Sequence, residues 1–126
     1  MVTTEIEQLS GECNAWRETL RSLRDEFGQL KSHLPAAASH ETSKDSLLEI
    51  DHLDNQLHIQ LINIHDLKHS IKVHQQKIKH ELSSDTASIS DATLAEHENL
   101  HDDFETLTFT LNELRTEYDR FMAHAH

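Results

Sequence analysis

Histidine is the residue type whose number and spacing could support chemistry here, because the 126 residues include twelve histidines. The stretch HDLKHSIKVH places three of them at positions 65, 69 and 74. Imidazole nitrogens bind transition metals, and imidazole changes its charge close to neutral pH. The stretch therefore raises three alternatives: a metal site, a pH-dependent switch, or ordinary surface histidines.

Helices must position these histidines. The chain divides into three segments, and the first and third repeat apolar residues at alternating intervals of three and four, the spacing of one helix face. In the first segment the repeat predicts a helix over about residues 4–34, ending before Pro35. In the third it predicts a helix over about residues 91–123. The middle segment, 44–82, has a less regular apolar seam that is interrupted at Gln60 and His74. The repeating residues of the first segment are Ile6, Leu9, Cys13, Trp16, Leu20, Leu23, Phe27, Leu30 and Leu34.

Three such helices predict a single all-α domain over residues 1–126. The chain has only two glycines and one proline, and the connecting stretches 35–43 and 83–91 are typical of short interhelical turns. We expect an antiparallel, up-down-up three-helix bundle with coiled-coil heptad packing. The arrangement resembles the three-helix unit of spectrin-type repeats, which includes a tryptophan buried in the first helix, here Trp16. That resemblance implies an architecture and no function.

The heptad register separates the three histidines of the opening stretch. If Ile50 occupies position a, His65 falls at b, His69 at f and His74 at d. His65 and His69 then lie about 40° apart on the outside of the bundle, whereas His74 points inward. One helix cannot gather all three around an ion, and two exposed imidazoles leave half of a tetrahedral shell empty. We therefore expect His65 and His69 to be surface residues.

Residues on different helices offer a better candidate metal site. Folding about a turn near Ala87 brings His74 level with residue 100, close to His97 and His101. Glu5, Gln8 or Glu12 could approach from the first helix. The set His74, His97 and His101 is acceptable for Zn²⁺ or another divalent transition metal. The competing interpretation, which the sequence favours, is a layer of neutral, hydrogen-bonded histidines that sets the register and needs no cofactor.

A second apolar stripe runs along the outer side of the middle helix. Its members fall at positions c or f and are interleaved with polar residues such as His69, and Phe109 is a further outward residue of the third helix. A row of apolar residues rimmed by polar ones predicts an interface, either with a second copy in a homodimer or with a helical protein partner. The alternative is that the middle helix tilts and covers them. The predicted interface residues are Leu48, Ile59, Ile62, His69, Val73 and Phe109.

Charge and motifs exclude several function classes. A net charge of −12 disfavours nucleic acid and anionic membranes as partners. No stretch is apolar enough to span a bilayer and no secretory signal is evident, so we expect a cytoplasmic protein.

The single cysteine, Cys13, falls at a core position, where burial favours the thiol. The stretch HENLH (residues 97–101) has the letters of the metalloprotease motif HExxH, but a chain with twelve histidines supplies such pairs by chance, so we do not predict an enzyme. The sequence thus predicts a non-catalytic interaction protein, with a metal-binding helical protein as the alternative.

Overall fold

The computed structural model describes residues 2–39, 43–83 and 88–124. It contains three helices: α1 (Val2–Ala38), α2 (Lys44–Leu82) and α3 (Asp91–His124). No strand occurs among the residues described. The prediction of an all-α three-helix bundle is therefore confirmed.

Helix α1 continues about one turn beyond the predicted end at Leu34, so Pro35 lies inside the helix. Proline lacks the amide hydrogen that would bond to the residue four positions earlier. Its own carbonyl is still used, since the Ser39 amide donates to the Pro35 oxygen over 3.1 Å. The Ser39 hydroxyl also donates to the Ala36 carbonyl over 2.7 Å. Close to a helix end, the lost hydrogen bond is tolerated.

Helices α2 and α3 begin at serine caps. The Ser43 hydroxyl accepts from the Ser46 amide over 3.4 Å, and the Ser90 hydroxyl accepts from the Thr93 amide over 3.2 Å. Both bonds satisfy amides that have no partner within the first turn of a helix. Ser90 directly precedes α3, so the start of α3 is fixed by local chemistry.

The buried core consists of the apolar residues that repeat at intervals of three and four in the sequence. In α1 the side chains of Cys13, Leu20 and Phe27 are completely buried. The two interruptions in the α2 seam are buried as well, Gln60 at 7% exposed and His74 at 1%. The bundle therefore encloses a polar side chain at the level of His74, and the candidate site lies there.

Contacts between helices set that level. Asn14 and Arg17 of α1 each bond to Gln75 of α2, and both distances are 2.9 Å. Toward the other end of the bundle, the Lys31 ammonium lies 3.0 Å from the Asp54 carboxylate. These contacts bring the part of α1 around Cys13 beside the part of α2 around His74.

Helices α1 and α3 are joined by polar contacts far from that level. The Arg115 guanidinium binds the Glu26 carboxylate with two nitrogens, one of them over 2.6 Å. These hydrogen bonds lower the pKa of Glu26. The Tyr118 hydroxyl donates to the Leu30 carbonyl over 2.9 Å. A bidentate pair has a defined geometry, so it fixes how α1 and α3 lie along each other.

None of the three helices, over its described residues, is long and apolar enough to cross a membrane.

Candidate metal centre

Each helix contributes one buried side chain to a single cluster: Cys13 from α1, His74 from α2 and His97 from α3. Their exposed fractions are 0%, 1% and 3%. One potential ligand atom from each residue lies within 4.8 Å of the others. A thiol and two imidazoles are the ligand types that zinc and copper ions prefer.

The two imidazoles touch each other through one nitrogen apiece. Nε2 of His74 lies 3.0 Å from Nδ1 of His97, and Sγ of Cys13 lies 3.9 Å from the same Nδ1. The three atoms that face one another are therefore His74 Nε2, His97 Nδ1 and Cys13 Sγ.

The outer nitrogen of each imidazole is held by a carboxylate. Nδ1 of His74 lies 2.6 Å from Glu96, and Nε2 of His97 lies 3.2 Å from Glu12. A carboxylate oxygen accepts hydrogen bonds, so each imidazole donates its outer N–H. The carboxylates thus fix the tautomer of both histidines.

This hydrogen-bond pattern leaves the inner nitrogens without a proton. A neutral imidazole carries one N–H, and in both rings it is the one used by the carboxylate. Two lone pairs would then face each other across 3.0 Å, which is unfavourable unless a proton or a metal ion lies between them. Burial, the largest influence, lowers the pKa of His97 and so opposes the extra proton. The facing atoms therefore suit either a shared proton or a bound metal ion.

Cys13 behaves as the sequence predicted for a core position. Burial raises the pKa of its thiol to about 11, with a smaller contribution from Glu12. The residue is therefore a protonated thiol when nothing is bound to it. A metal ion would change this, because a coordinated thiol loses its proton.

Trp16 forms an aromatic wall beside the cluster. Its ring centroid lies 4.8 Å from that of His97, and 6.0 Å from that of Phe104. Packing against the indole restricts the orientation of the His97 ring and shields it from water. The rings of Trp16 and His97 thus link the apolar core to the candidate ligands.

Among the three sequence-predicted ligands, the structure brings together His74 and His97 but not His101. Nε2 of His101 lies 3.0 Å from Glu105, and its ring is packed at 6.0 Å from Trp16. Glu12, one of the three side chains expected to approach from α1, contacts His97. Glu5 lies outside the residues whose side chains are described.

Sequence reasoning did not select Cys13 and Glu96 for this site. Cys13 was assigned to packing because of its core position. The signal that could have found it is its place in α1, one residue from Glu12, which was expected at this end of the bundle. Glu96 directly precedes His97, and its carboxylate is also 3.7 Å from the Lys77 ammonium.

The remaining residues of the opening stretch are at the surface. His65 has a side chain that is 81% exposed and lies 3.4 Å from Asp66. His69 is exposed too. This placement agrees with the expectation that the two are surface histidines.

The predicted interface residues are exposed. Leu48, Ile59, Ile62 and Val73 on α2 range from 38% to 58% exposed, and Phe109 on α3 is 64% exposed. Helices α1 and α3 therefore do not cover them, contrary to the tilted alternative. Phe109 lines an open groove formed by α3 together with Glu49 of α2.

No protein-family model matches the chain, and the searches of curated proteins and of solved structures find no match either. Functional inference therefore rests on the chemistry of this chain alone.

Proposed function

We propose that the chain binds a divalent transition-metal ion, Zn²⁺ above all, through Cys13 Sγ, His74 Nε2 and His97 Nδ1. The observation that carries this proposal is the pair of buried imidazole nitrogens that face each other while carboxylates hold their outer nitrogens. In zinc sites, a ligating histidine almost always donates its other N–H to a carboxylate, a carbonyl or a water molecule.

The three ligand atoms are slightly too far apart or too close for zinc, so binding requires side-chain movements. Typical Zn–N and Zn–S bonds at tetrahedral angles separate two nitrogens by about 3.3 Å and a nitrogen from a sulfur by about 3.6 Å. Here the nitrogens are 3.0 Å apart, and Cys13 Sγ lies 3.9 Å from His97 Nδ1. These two separations need movements of a few tenths of an ångström, whereas the third, between Cys13 Sγ and His74 Nε2, lies within 4.8 Å and must close by up to about 1 Å to complete three sides of a tetrahedron. A water molecule or a carboxylate is needed for the fourth.

The proposed role of the ion is structural. Each helix supplies one ligand, so a bound ion would tie the three helices together at this level. An open groove of about 340 Å³ includes His74 and Glu96 in its lining and offers a route for the ion. We propose no catalysis, because the three ligands are almost completely buried, as in structural zinc sites.

A direct test is metal binding by the purified protein. We expect one Zn²⁺ per chain by calorimetry, and a thiolate charge-transfer band when Co²⁺ is bound instead. His74→Gln should weaken zinc binding by more than about 100-fold, since loss of a residue that only hydrogen-bonds to a ligand typically costs 10- to 100-fold. The band should be absent from Cys13→Ser.

His101→Gln is the matched control, since it also removes a histidine from this end of the bundle. It should retain the full affinity. Equal losses in His74→Gln and His101→Gln would contradict the ligand set, as would a wild-type protein that binds no zinc.

The proposed arrangement of the helices is the antiparallel, up-down-up one with heptad packing. It is supported by contacts in which Asn14, early in α1, bonds to Gln75, late in α2, whereas Lys31 meets Asp54. A cytoplasmic location is part of the proposal as well, because a reducing compartment keeps a cysteine free to bind metal.

A second candidate function is self-association through the outer face of α2. If two copies of α2 pair in opposite directions about an axis between residues 60 and 61, residues whose numbers add to 121 face each other. The facing pairs then match in character, with apolar beside apolar and polar beside polar. They are Leu48 with Val73, Ile59 with Ile62, His52 with His69, and Asn55 with Asp66 of the second copy. This match favours a second copy over an unrelated helical partner.

Light scattering after size exclusion tests the association. We expect a mass of about 29 kDa, twice the 14.5 kDa of one chain. Ile59→Glu with Ile62→Glu should give a folded monomer, because both side chains point away from the core and four carboxylates would meet at the axis. Phe109→Glu examines whether the interface extends to α3.

Gln29→Glu with Asn99→Glu is the control, since it adds the same charge at exposed positions away from this face. It should remain a dimer. A wild-type mass near 14.5 kDa would rule out the association, and unfolding of the Ile59 and Ile62 variant would place these residues in the core.

A further inference from the structure

Positive charge is concentrated in one place on this acidic chain. Between α1 and α2 lies a small pocket lined by Arg17, His65, Lys68, His69 and Lys72. These include three of the eleven lysines and arginines in a chain whose net charge is −12. None of the five lining residues is a proposed metal ligand, although His69 also lines the groove beside His74.

The two lysines of this pocket form no ion pair among the described residues, although Asp25 offsets part of the charge around Lys68. Arg21 and Arg24 each have an acidic partner, Glu18 at 3.2 Å and Asp25 at 3.4 Å. Across the described ranges, neither Lys68 nor Lys72 has a carboxylate within 4.0 Å. Like charges that face each other without a counterion repel, so the pocket favours an anion.

Two further observations agree with anion binding in this pocket. Nε of Arg17 is buried and has no hydrogen-bond partner in the part of the chain that is described, although the Arg17 Nη1 atom donates to Gln75. Burial lowers the pKa of Lys68, and the nearby Arg24, Arg21 and Arg17 lower it further. A bound anion would relieve this repulsion.

We propose that this pocket binds a phosphate group. Guanidinium and ammonium groups form charge-assisted hydrogen bonds with phosphate oxygens, and the two histidines can add neutral N–H donors. The volume of about 180 Å³ is below the range of pockets that enclose drug-sized ligands, about 300–1,000 Å³. The pocket therefore suits one tetrahedral anion, either free or as the phosphate end of a small molecule.

Calorimetric titration with inorganic phosphate tests the proposal, with the protein first dialysed to remove free metal ions. We expect saturable binding at one site per chain. Lys68→Gln with Lys72→Gln should weaken it by about tenfold or more, the loss typical of a hydrogen bond to a charged group. Raising the salt concentration should weaken it too, because both lysines are accessible to solvent.

Lys44→Gln with Lys79→Gln is the matched control. It removes the same charge from α2 but outside the pocket, so binding should be unchanged. Equal weakening in both double variants, or no saturable binding to the wild type, would overturn the proposal. Circular dichroism of each variant shows whether the helices are retained.

Pyrophosphate distinguishes the two sources of the phosphate group. Binding at least tenfold tighter than that of inorganic phosphate would point to a ligand that extends from the pocket toward Arg21 and Arg24. Equal binding would point to a free phosphate ion or a simple monoester. Neither result depends on the metal centre, since His74→Gln should bind phosphate like the wild type.

Discussion

Replacing Trp16 with alanine is expected to lower the free energy of unfolding by about 3–5 kcal/mol. Its indole is 6% exposed and fills the space between α1 and α3, next to the rings of His97 and Phe104. Alanine would leave a cavity that the surrounding helices can close only in part. Urea unfolding followed by circular dichroism measures the change, and chelator should be present so that metal binding does not contribute.

Two substitutions make the result specific to burial. Phe109→Ala removes a similarly large aromatic ring from α3, but this ring is 64% exposed, so the free energy of unfolding should change by no more than about 0.5 kcal/mol. Trp16→Phe should give an intermediate loss, because part of the volume is retained. A loss below about 1 kcal/mol for Trp16→Ala would mean that the indole is not part of a tightly packed core.

The sequence predicted the helices and the core well because both depend on a repeating pattern. The intervals of three and four place Cys13, Trp16, Leu20 and Phe27 on one face of α1 whatever the neighbouring helices do. The end of α1 was less predictable. Pro35 prevents one hydrogen bond, and one bond is too little to stop a helix whose last turn has other partners.

The ligands of the candidate site were harder to predict because they depend on how the helices slide along one another. The sequence placed His74 level with residue 100 and close to both His97 and His101. The structure brings His74 against His97 and also against Glu96. His101 instead contacts Glu105 and Trp16. The length of an interhelical turn, which sets this register, cannot be derived from a heptad pattern.

For the exposed apolar stripe of α2, the sequence predicted the position of the side chains but not what they bind. Its pattern predicted correctly that Leu48, Ile62 and Val73 are exposed. Any partner of these residues is a second molecule. The sequence of one chain shows only that the residues would match in character if two copies of α2 paired.

Zinc is expected to stabilise the folded protein, and at a free concentration of one hundred times the dissociation constant the gain is about 2.7 kcal/mol. The reason is linkage. The three ligands belong to three different helices, so the ion binds them together only when the bundle is folded. Thermal or urea unfolding with buffered zinc and with chelator measures the gain, which should increase with the logarithm of the zinc concentration.

The same measurement separates the metal site from a purely structural layer of histidines. His74→Gln keeps a polar side chain that can bond to Glu96 or His97, so the metal-free protein should lose little stability, yet the gain from zinc should largely disappear. Cys13→Ser should also lose most of the gain from zinc, although its buried hydroxyl lowers the metal-free stability, while His101→Gln should keep the full gain. If the wild type unfolds identically with zinc and with chelator, His74 and His97 form a hydrogen-bonded layer that sets the register of the helices, and the inner nitrogens must share a proton instead of an ion.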